Sequence, residues 1–285
     1  MLINTVAKEL LFSTLCLEGT DKNGSRSAGS CFLLSHEIAD YGAETFLITN
    51  KHVVTGMEHS KLCFTRKVGN QPVIGHTFAF ECSAGFGTTF HGHPDSEIDI
   101  AVLPISFLLR AAAGRGDRDA FITPISSSAI PTRAALSTFD AVLPILFVGY
   151  PNGMYDSVHR TPIIRRGITA TPVELDYDGK PIFLIDASVF PGSSGSPVFA
   201  YSETWEGGLD GVRLLGIISQ VCVQEDSGEL RFAPAPTTQV PRVAIRQMLD
   251  LGVVIKSHLI IETIEDCWKH KGDELRRVNK AVSGT

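Results

Sequence analysis

The chain has no apolar run long enough to span a bilayer. Its longest, such as Ile100 to Leu109, cover about ten residues, against roughly 20 for a membrane-crossing helix. Basic clusters, heptad repeats and a phosphate-binding P-loop are also missing. The net charge of −6 and a pI near 5.8 argue against a nucleic-acid-binding surface. The first eleven residues hold one lysine, with neither a sustained apolar stretch nor a small-residue cleavage site. They read as a short helix entering the first strand rather than as a secretion signal. No C-x-x-C pair occurs among the six cysteines, Cys16, Cys31, Cys63, Cys82, Cys222 and Cys267. Most lie in apolar strand-like runs such as Ser30-Cys31-Phe32-Leu33-Leu34, which favours buried free thiols and a cytoplasmic protein over a disulfide framework.

What is present is 285 residues, 44% hydrophobic and 20% charged, enough for one large or two small cores. Short β-type runs separated by Gly, Pro, Asn and Asp dominate from about residue 12 to 235. A first group comprises Ser13–Leu17, Gly29–Ser35, Thr45–Thr49, Lys61–Lys67, Val73–Phe80 and Ile98–Ile105. A second comprises Pro144–Tyr150, Pro162–Thr171, Pro181–Ala187, Ser196–Tyr201, Leu214–Val223 and Leu230–Ala233. Two such sets imply an all-β fold of two small antiparallel barrels or sandwiches. The stretch between them reads as a connector with few core positions. The expected divisions are 1–109, 110–139 for the connector, 140–239, and 240–285 for terminal helices. One helix is expected over Val240–Leu251 and another over Ile261–Ala281, where Ile261, Ile264, Trp268, Leu275 and Val278 form an apolar stripe.

Three segments carry chemistry. Residues 190–199 read Phe-Pro-Gly-Ser-Ser-Gly-Ser-Pro-Val-Phe, a glycine-rich turn entering a strand. Such a turn can hold one serine oxygen outward while backbone N–H groups converge beside it, ready to stabilise a developing oxyanion. Taken alone, it is equally a surface turn. A serine hydroxyl needs a base, and Thr45-Phe46-Leu47-Ile48-Thr49-Asn50-Lys51-His52-Val53-Val54 offers a strand ending in a histidine. An acid is available in Asp95-Ser96-Glu97-Ile98-Asp99-Ile100-Ala101-Val102-Leu103.

These three segments together resemble the trypsin-like serine peptidases, most closely the HtrA/Deg type without a PDZ domain. Gly192-Ser193-Ser194-Gly195-Ser196-Pro197 is similar to the family's G-x-S-G-G/S-P loop. Thr45–Val54 is similar to its L-I-T-A/N-x-H-V-V segment, Ala28–Leu34 to its G-S-G-F strand, and Asp95–Leu103 to its D-x-x-x-D-I/L-A-V-L segment. Phe147-Val148-Gly149-Tyr150-Pro151-Asn152-Gly153 and Gly167-Ile168-Thr169 extend the match to roughly residues 12–250. The resemblance implies two six-stranded antiparallel barrels, the first carrying His52 and Asp99 and the second Ser194. It implies Ser194 as nucleophile, His52 as base, Asp99 as the acid orienting it, and Gly192, Ser193 and Ser194 as sources of oxyanion-binding amides.

By the same resemblance Ser188, Val189, Ser219, Gln220 and Val221 would line the substrate cleft. Ser188 stands where trypsin-specific relatives carry an acid, and Val189 and Val221 would narrow the pocket. That favours a small or medium apolar side chain before the scissile bond, unless Arg231 turns the preference to an acidic one. Ser193 replaces the aspartate that pairs with a cleavage-freed N-terminus in digestive relatives, so activation of that kind is not expected. No cofactor or metal is expected. His91-x-His93 has ligand-like spacing with Asp95 near, but no third ligand is identifiable and the segment reads as the approach to Asp99. The expected partner is a protein or peptide substrate, with no nucleic acid and no membrane, and an activating protein is left open. The alternative function is a catalytically silent interaction module on the same fold.

Overall fold

The structure, a computed structural model, describes residues 1–82, 84–113, 118–201, 212–229 and 242–283. Helix α1 (Val6–Leu10) leads into β1 (Thr14–Thr20), β2 (Arg26–Ile38) and β3 (Gly42–Thr49). The one-turn helix α2 (Lys51–Val54) and the hairpin β4 (His59–Val68)–β5 (Gln71–Cys82) follow. Next come α3 (Phe86–Thr89), β6 (His91–Gly92), β7 (Ala101–Pro104) and α4 (Ser106–Ala113). The second half holds β8 (Ile125–Ser126), α5 (Arg133–Leu136), β9 (Pro144–Gly149), β10 (Ile163–Thr169), β11 (Ile182–Asp186) and β12 (Pro197–Ala200). It ends with β13 (Arg213–Glu229), β14 (Arg242–Lys256) and the long helix α6 (His258–Ser283).

The second half closes into a six-stranded antiparallel barrel, β10-β11-β14-β13-β12-β9. The first half forms a sheet in the order β5-β4-β1-β2-β3-β7-β6, and its two end strands are not paired with each other. The expected pair of closed barrels is therefore half realised. The reason is local. Strand β6 offers only two residues, and β5 is engaged by the other half at Gly75, whose N donates to His159 O at 3.2 Å.

Period-two alternation sorts the apolar runs into separate cores. In β2, Cys31 and Leu33 face the interior of the first sheet with Leu17, Leu47, Leu62 and Phe64. Phe32 and Leu34 face the opposite way, into a core shared with Leu146, Val148 and Phe199 of the second half and Ile260, Ile264 and Cys267 of α6. Strand β9 mirrors this, with Leu146 and Val148 in the shared core and Ile145 and Phe147 inside the closed barrel. Both strands are covered on two faces, which is why they read as unbroken apolar runs. Truncating a buried Phe such as Phe147 to Ala removes about 3–5 kcal/mol.

Three expectations require correction. The helix expected over Val240–Leu251 does not form over 242–251, the described part of that stretch. Strand β14 occupies 242–256, pairs with β11 and β13, and completes the barrel, so the second half runs to Lys256 rather than ending near 239. The apolar spacing fits both periods, and long-range pairing decides for the strand. The connector, expected to have few core positions, does contribute some and adds a short strand. Ile125 and Ala129 are fully buried, and β8 pairs in parallel with β2. On α6, Ile264 and Leu275 are buried as expected, but Val278 is exposed and Leu259, Ile260 and Cys267 complete the buried face. The expected strand Leu230–Ala233, with Arg231, lies outside the described residues. Among the described residues no helix is long and apolar enough to cross a membrane.

All six cysteines are free, with Cys16, Cys31 and Cys267 buried. Burial pushes each of these thiols up, that of Cys267 to about 11. Folded protein treated with a thiol reagent at neutral pH should leave these three unmodified, and all six should react after denaturation without reductant. Reducing agent should not shift Tm, since loss of a native disulfide typically costs about 2–5 kcal/mol. Fewer than six thiols in denatured protein would overturn the reading of a packing-stabilised fold.

Candidate active site

His52 sits on the single turn α2 that ends strand β3. Its ring Nδ1 lies 2.6 Å from Asp99 Oδ2, and its backbone N–H donates to Asp99 Oδ1 at 3.0 Å. Asn50 Nδ2 donates to Asp99 O at 2.7 Å, fixing the acid's backbone against the turn that carries the histidine. A neutral His52 that directs Nδ1–H at the carboxylate carries its lone pair on Nε2, the tautomer a general base requires. Burial pushes the Asp99 carboxyl up, but hydrogen bonds from the His52 ring, the His52 backbone and Ser219 outweigh it and hold it below the ordinary carboxylate value. A carboxyl with a lowered pKa in the folded state stays ionised down through the usual carboxylate range and loses its stabilising contacts only at lower pH. Above that range Asp99 remains an anion.

Ser194 lies in the turn between β11 and β12. Gly192 and Gly195 there have φ of +83° and +86°. A Cβ on Gly195 would overlap the Ser30 carbonyl oxygen, and one on Gly192 would lie 2.8 Å from both Asn152 N and Tyr150 O. These glycines are required by space as well as by backbone angle. Strand β13 pins the turn from the other side, with Gly195 N donating to Ile218 O and Ile218 N to Ser196 O.

Ser30 of β2 ties this turn to the first half. Its N–H donates to Ser194 O at 2.9 Å, and its hydroxyl donates to Gly192 O at 3.0 Å while accepting from Tyr150 N at 2.9 Å. Its carbonyl accepts from Thr49 Oγ1, on the strand that leads to His52. The sequence reading placed Ser30 in a family-like strand without giving it a role.

Ser219 links the remaining parts. Its hydroxyl donates to Asp99 Oδ2 at 2.9 Å, and its carbonyl accepts from Ser194 Oγ at 3.1 Å. The described hydrogen bond of the Ser194 hydroxyl thus runs to Ser219 and not to the His52 ring. Rotation about the Cα–Cβ bond is the movement that would redirect it. The amide of Ser193 donates to Phe190 O at 3.0 Å, so it is not among the converging oxyanion donors. The amides of Gly192 and Ser194 donate to no described group.

The substrate-cleft residues divide. Ser188 and Gln220 are exposed and Val221 is half-buried, but Val189 is 3% exposed inside the barrel core with Ile185 and Val254, and so does not line a pocket. The alternation of β11 continues into this segment and turns Val189 inward.

Arg165 adjoins the site through contacts that the sequence reading missed. It lies on β10 opposite Phe147 of β9, with its guanidinium 4.5 Å from the Phe147 ring centroid and 6.0 Å from that of Phe190. Nη1 donates to Ser188 O at 2.6 Å and Nη2 to Ser193 Oγ at 2.7 Å, so one rigid fork spans the segment before the nucleophile. Nε is buried without a partner, and among the described residues no carboxylate pairs with the cation. Burial lowers its pKa to about 10, which leaves it charged at neutral pH. The adjacent Arg165-Arg166 pair before Gly167 gave no signal, because nothing local says which arginine turns inward.

The profile of the trypsin-like peptidase domain matches residues 29–206, and the chain belongs to that family. No curated protein sequence matches the chain. Its fold is similar to that of the HtrA-type protease AlgW solved with a tripeptide, at 16% identity and a TM-score of 0.53, covering 93% of this chain and 63% of that one. An AlgW variant solved with a decapeptide matches at 14% identity and a TM-score of 0.50, covering 91% and 64%. The chain thus spans less than two thirds of the length of these structures.

Arg165 braces the turn that carries Ser194 through Ser188 O and Ser193 Oγ. Arg165→Ala should lower kcat by on the order of 10²-fold with KM changed far less, the usual effect of misplacing a reacting group by about 1 Å. Arg165→Lys should recover only part of the loss, because an ammonium cannot bridge both acceptors. Steady-state kinetics alongside circular dichroism would check this, and equal activity in all three proteins would remove Arg165 from the site.

Proposed function

We propose that the chain is a serine endopeptidase in which Ser194 attacks the peptide carbonyl, His52 takes its proton, and Asp99 holds the imidazole in the required tautomer. The observation that carries this reading is the pair of bonds from His52 to Asp99, locked from the second half by the Ser219 hydroxyl. Attack by Ser194 Oγ on the carbonyl carbon moves its proton to His52 Nε2. The negative charge on the former carbonyl oxygen is met by the amides of Gly192 and Ser194. Collapse of that intermediate expels the amine, which takes the proton from His52, and water then hydrolyses the acyl-enzyme by the same route.

The cleft favours a small or medium apolar side chain before the scissile bond. Both terminal nitrogens of Arg165 are taken up by Ser188 O and Ser193 Oγ, which turns this cation to the loop. The hydroxyl of Ser188 stands where a base-reading acid would be, and Val221 supplies apolar surface. A profile of cleavage sites should show this preference.

One observation favours a second reading, a silent interaction module: the Ser194 hydroxyl is bonded to Ser219 O rather than to His52. A fluorophosphonate probe decides between the two. Stoichiometric labelling that maps to Ser194 and disappears in Ser194→Ala supports the peptidase, and that substitution should reduce turnover by on the order of 10⁴–10⁶-fold while leaving Tm nearly unchanged. An unlabelled, folded wild-type protein identifies the silent module.

The pH dependence of kcat/KM should be a single rising limb as a histidine gives up its proton, with no separate limb from Asp99, whose carboxyl is held below its ordinary value. Asp99→Asn should lower turnover by roughly 10⁴-fold through the wrong imidazole tautomer. A profile that is flat from about pH 5 to 8 is incompatible with a histidine base.

A further inference from the structure

His91-x-His93 looks like a ligand pair in the sequence, but the structure sends the two rings to different partners. His93 is buried, accepts from Asp95 N at Nδ1 and has Nε2 3.7 Å from Glu262 Oε2. His91 turns instead to the next turn of α6, where its Nε2 lies 2.6 Å from Asp266 Oδ2. Asp266 and His270 are four residues apart on that helix and so share a face. His270 Nδ1 is 3.5 Å from the same carboxylate oxygen, and its ring stacks on His91 with centroids 5.6 Å apart at 28°. Among the described residues this is the group whose ligand atoms all lie within 4.8 Å of one another.

We propose that His91, Asp266 and His270 form a site for a divalent transition-metal ion of the zinc type, bound through His91 Nε2, one Asp266 carboxylate oxygen and His270 Nδ1, with water completing the coordination. Two imidazoles and a carboxylate suit zinc and its neighbours far better than calcium or magnesium, which prefer all-oxygen shells. Zinc–nitrogen and zinc–oxygen bonds of about 2.0–2.2 Å need ligand atoms roughly 3.3 Å apart, so the present spacing requires only side-chain rotation. Binding uses the Nε2 lone pair of the neutral His91 ring with its proton on Nδ1, so the metal takes the place of the present Nε2 contact with Asp266. The contact of His270 Nδ1 with Asp266 O, now 2.8 Å, is exchanged for a coordination bond.

The backbone that carries the ligands is already held. Ile264 and Cys267 anchor α6 in the shared core, and Lys271 Nζ donates to Thr89 O at 3.0 Å, just before His91. His91 in turn pairs with Val102 of β7, the strand that follows Asp99. The ion would therefore clip the C-terminal helix to the strand adjoining the candidate acid.

The test uses the full chain, stripped with chelator and titrated with zinc chloride by calorimetry, with cobalt(II) absorption as a second readout. One ion per chain should bind, and His91→Gln, Asp266→Asn and His270→Gln should each weaken binding by at least about tenfold. Zinc should raise the Tm of the wild type and not that of folded His91→Gln. His93→Gln and His52→Ala should bind like wild type, the latter excluding capture by the imidazole–carboxylate pair of the cleft. No saturable binding, binding unaltered in His91→Gln and His270→Gln, loss of binding in His52→Ala, or a cobalt–thiolate charge-transfer band would each overturn the site. The experiment reads binding and not hydrolysis, so its result is independent of the peptidase reading.

Discussion

Ser30 is the point on which the two halves turn. It is fully buried, and each of its hydrogen-bonding groups is used: N–H to Ser194, hydroxyl to Gly192 and from Tyr150, carbonyl from Thr49. The turn of Ser194 comes from one half and His52 from the other, and Ser30 is bonded to the first and to the strand that delivers the second. A buried hydroxyl that serves two backbone partners is costly to lose, since each group left unpaired costs about 1–3 kcal/mol. The apolar core shared between the halves supplies the adhesion, but hydrophobic contact is non-directional. The hydrogen bonds of Ser30 set the register in which the halves meet.

The nucleophile turn is held from three directions by different physics. Ser30 fixes it from the front through neutral hydrogen bonds, and β13 fixes it from the side through a backbone ladder. Arg165 fixes it from behind with a cation that has aromatic faces for neighbours and neutral oxygens for acceptors. A half-buried cation with no counter-charge among the described residues carries a desolvation cost, offset here by charge-assisted hydrogen bonds and by the Phe147 and Phe190 rings. The residue before Ser194 is thus restrained by an internal side chain. That contact keeps the Ser193 hydroxyl away from the cleft, whereas the hydroxyl of Ser194 is bonded to Ser219 O.

Helix α6 does more than close the chain. It covers the outer face of β2, β3 and β7 with Leu259, Ile260, Ile264 and Cys267, so that strands which would otherwise present an apolar face to water are buried on both sides. Its polar edge then meets β6 and the segment leading to Asp99. Packing at one face of the helix is what places Asp266 and His270 opposite His91.

The primary sequence alone determined the family and singled out the segments that carry His52, Asp99 and Ser194, because each is a contiguous stretch whose local geometry is set by glycine, by a strand end or by a one-turn helix. It also determined most strands, since period-two alternation is a local property. Tertiary structure decided the rest. Residues 242–256 became a strand because β11 and β13 offered edges to pair with, which a helix-compatible apolar spacing does not disclose. Val189 turned into the barrel core because the alternation of β11 carries through it. Arg165 reached the nucleophile turn 28 residues away, and His91 met Asp266 at a separation of 175 residues. Contacts of that range depend on how sheets close and helices dock, a global balance of packing and hydrogen bonding that leaves no trace in the spacing of neighbouring residues.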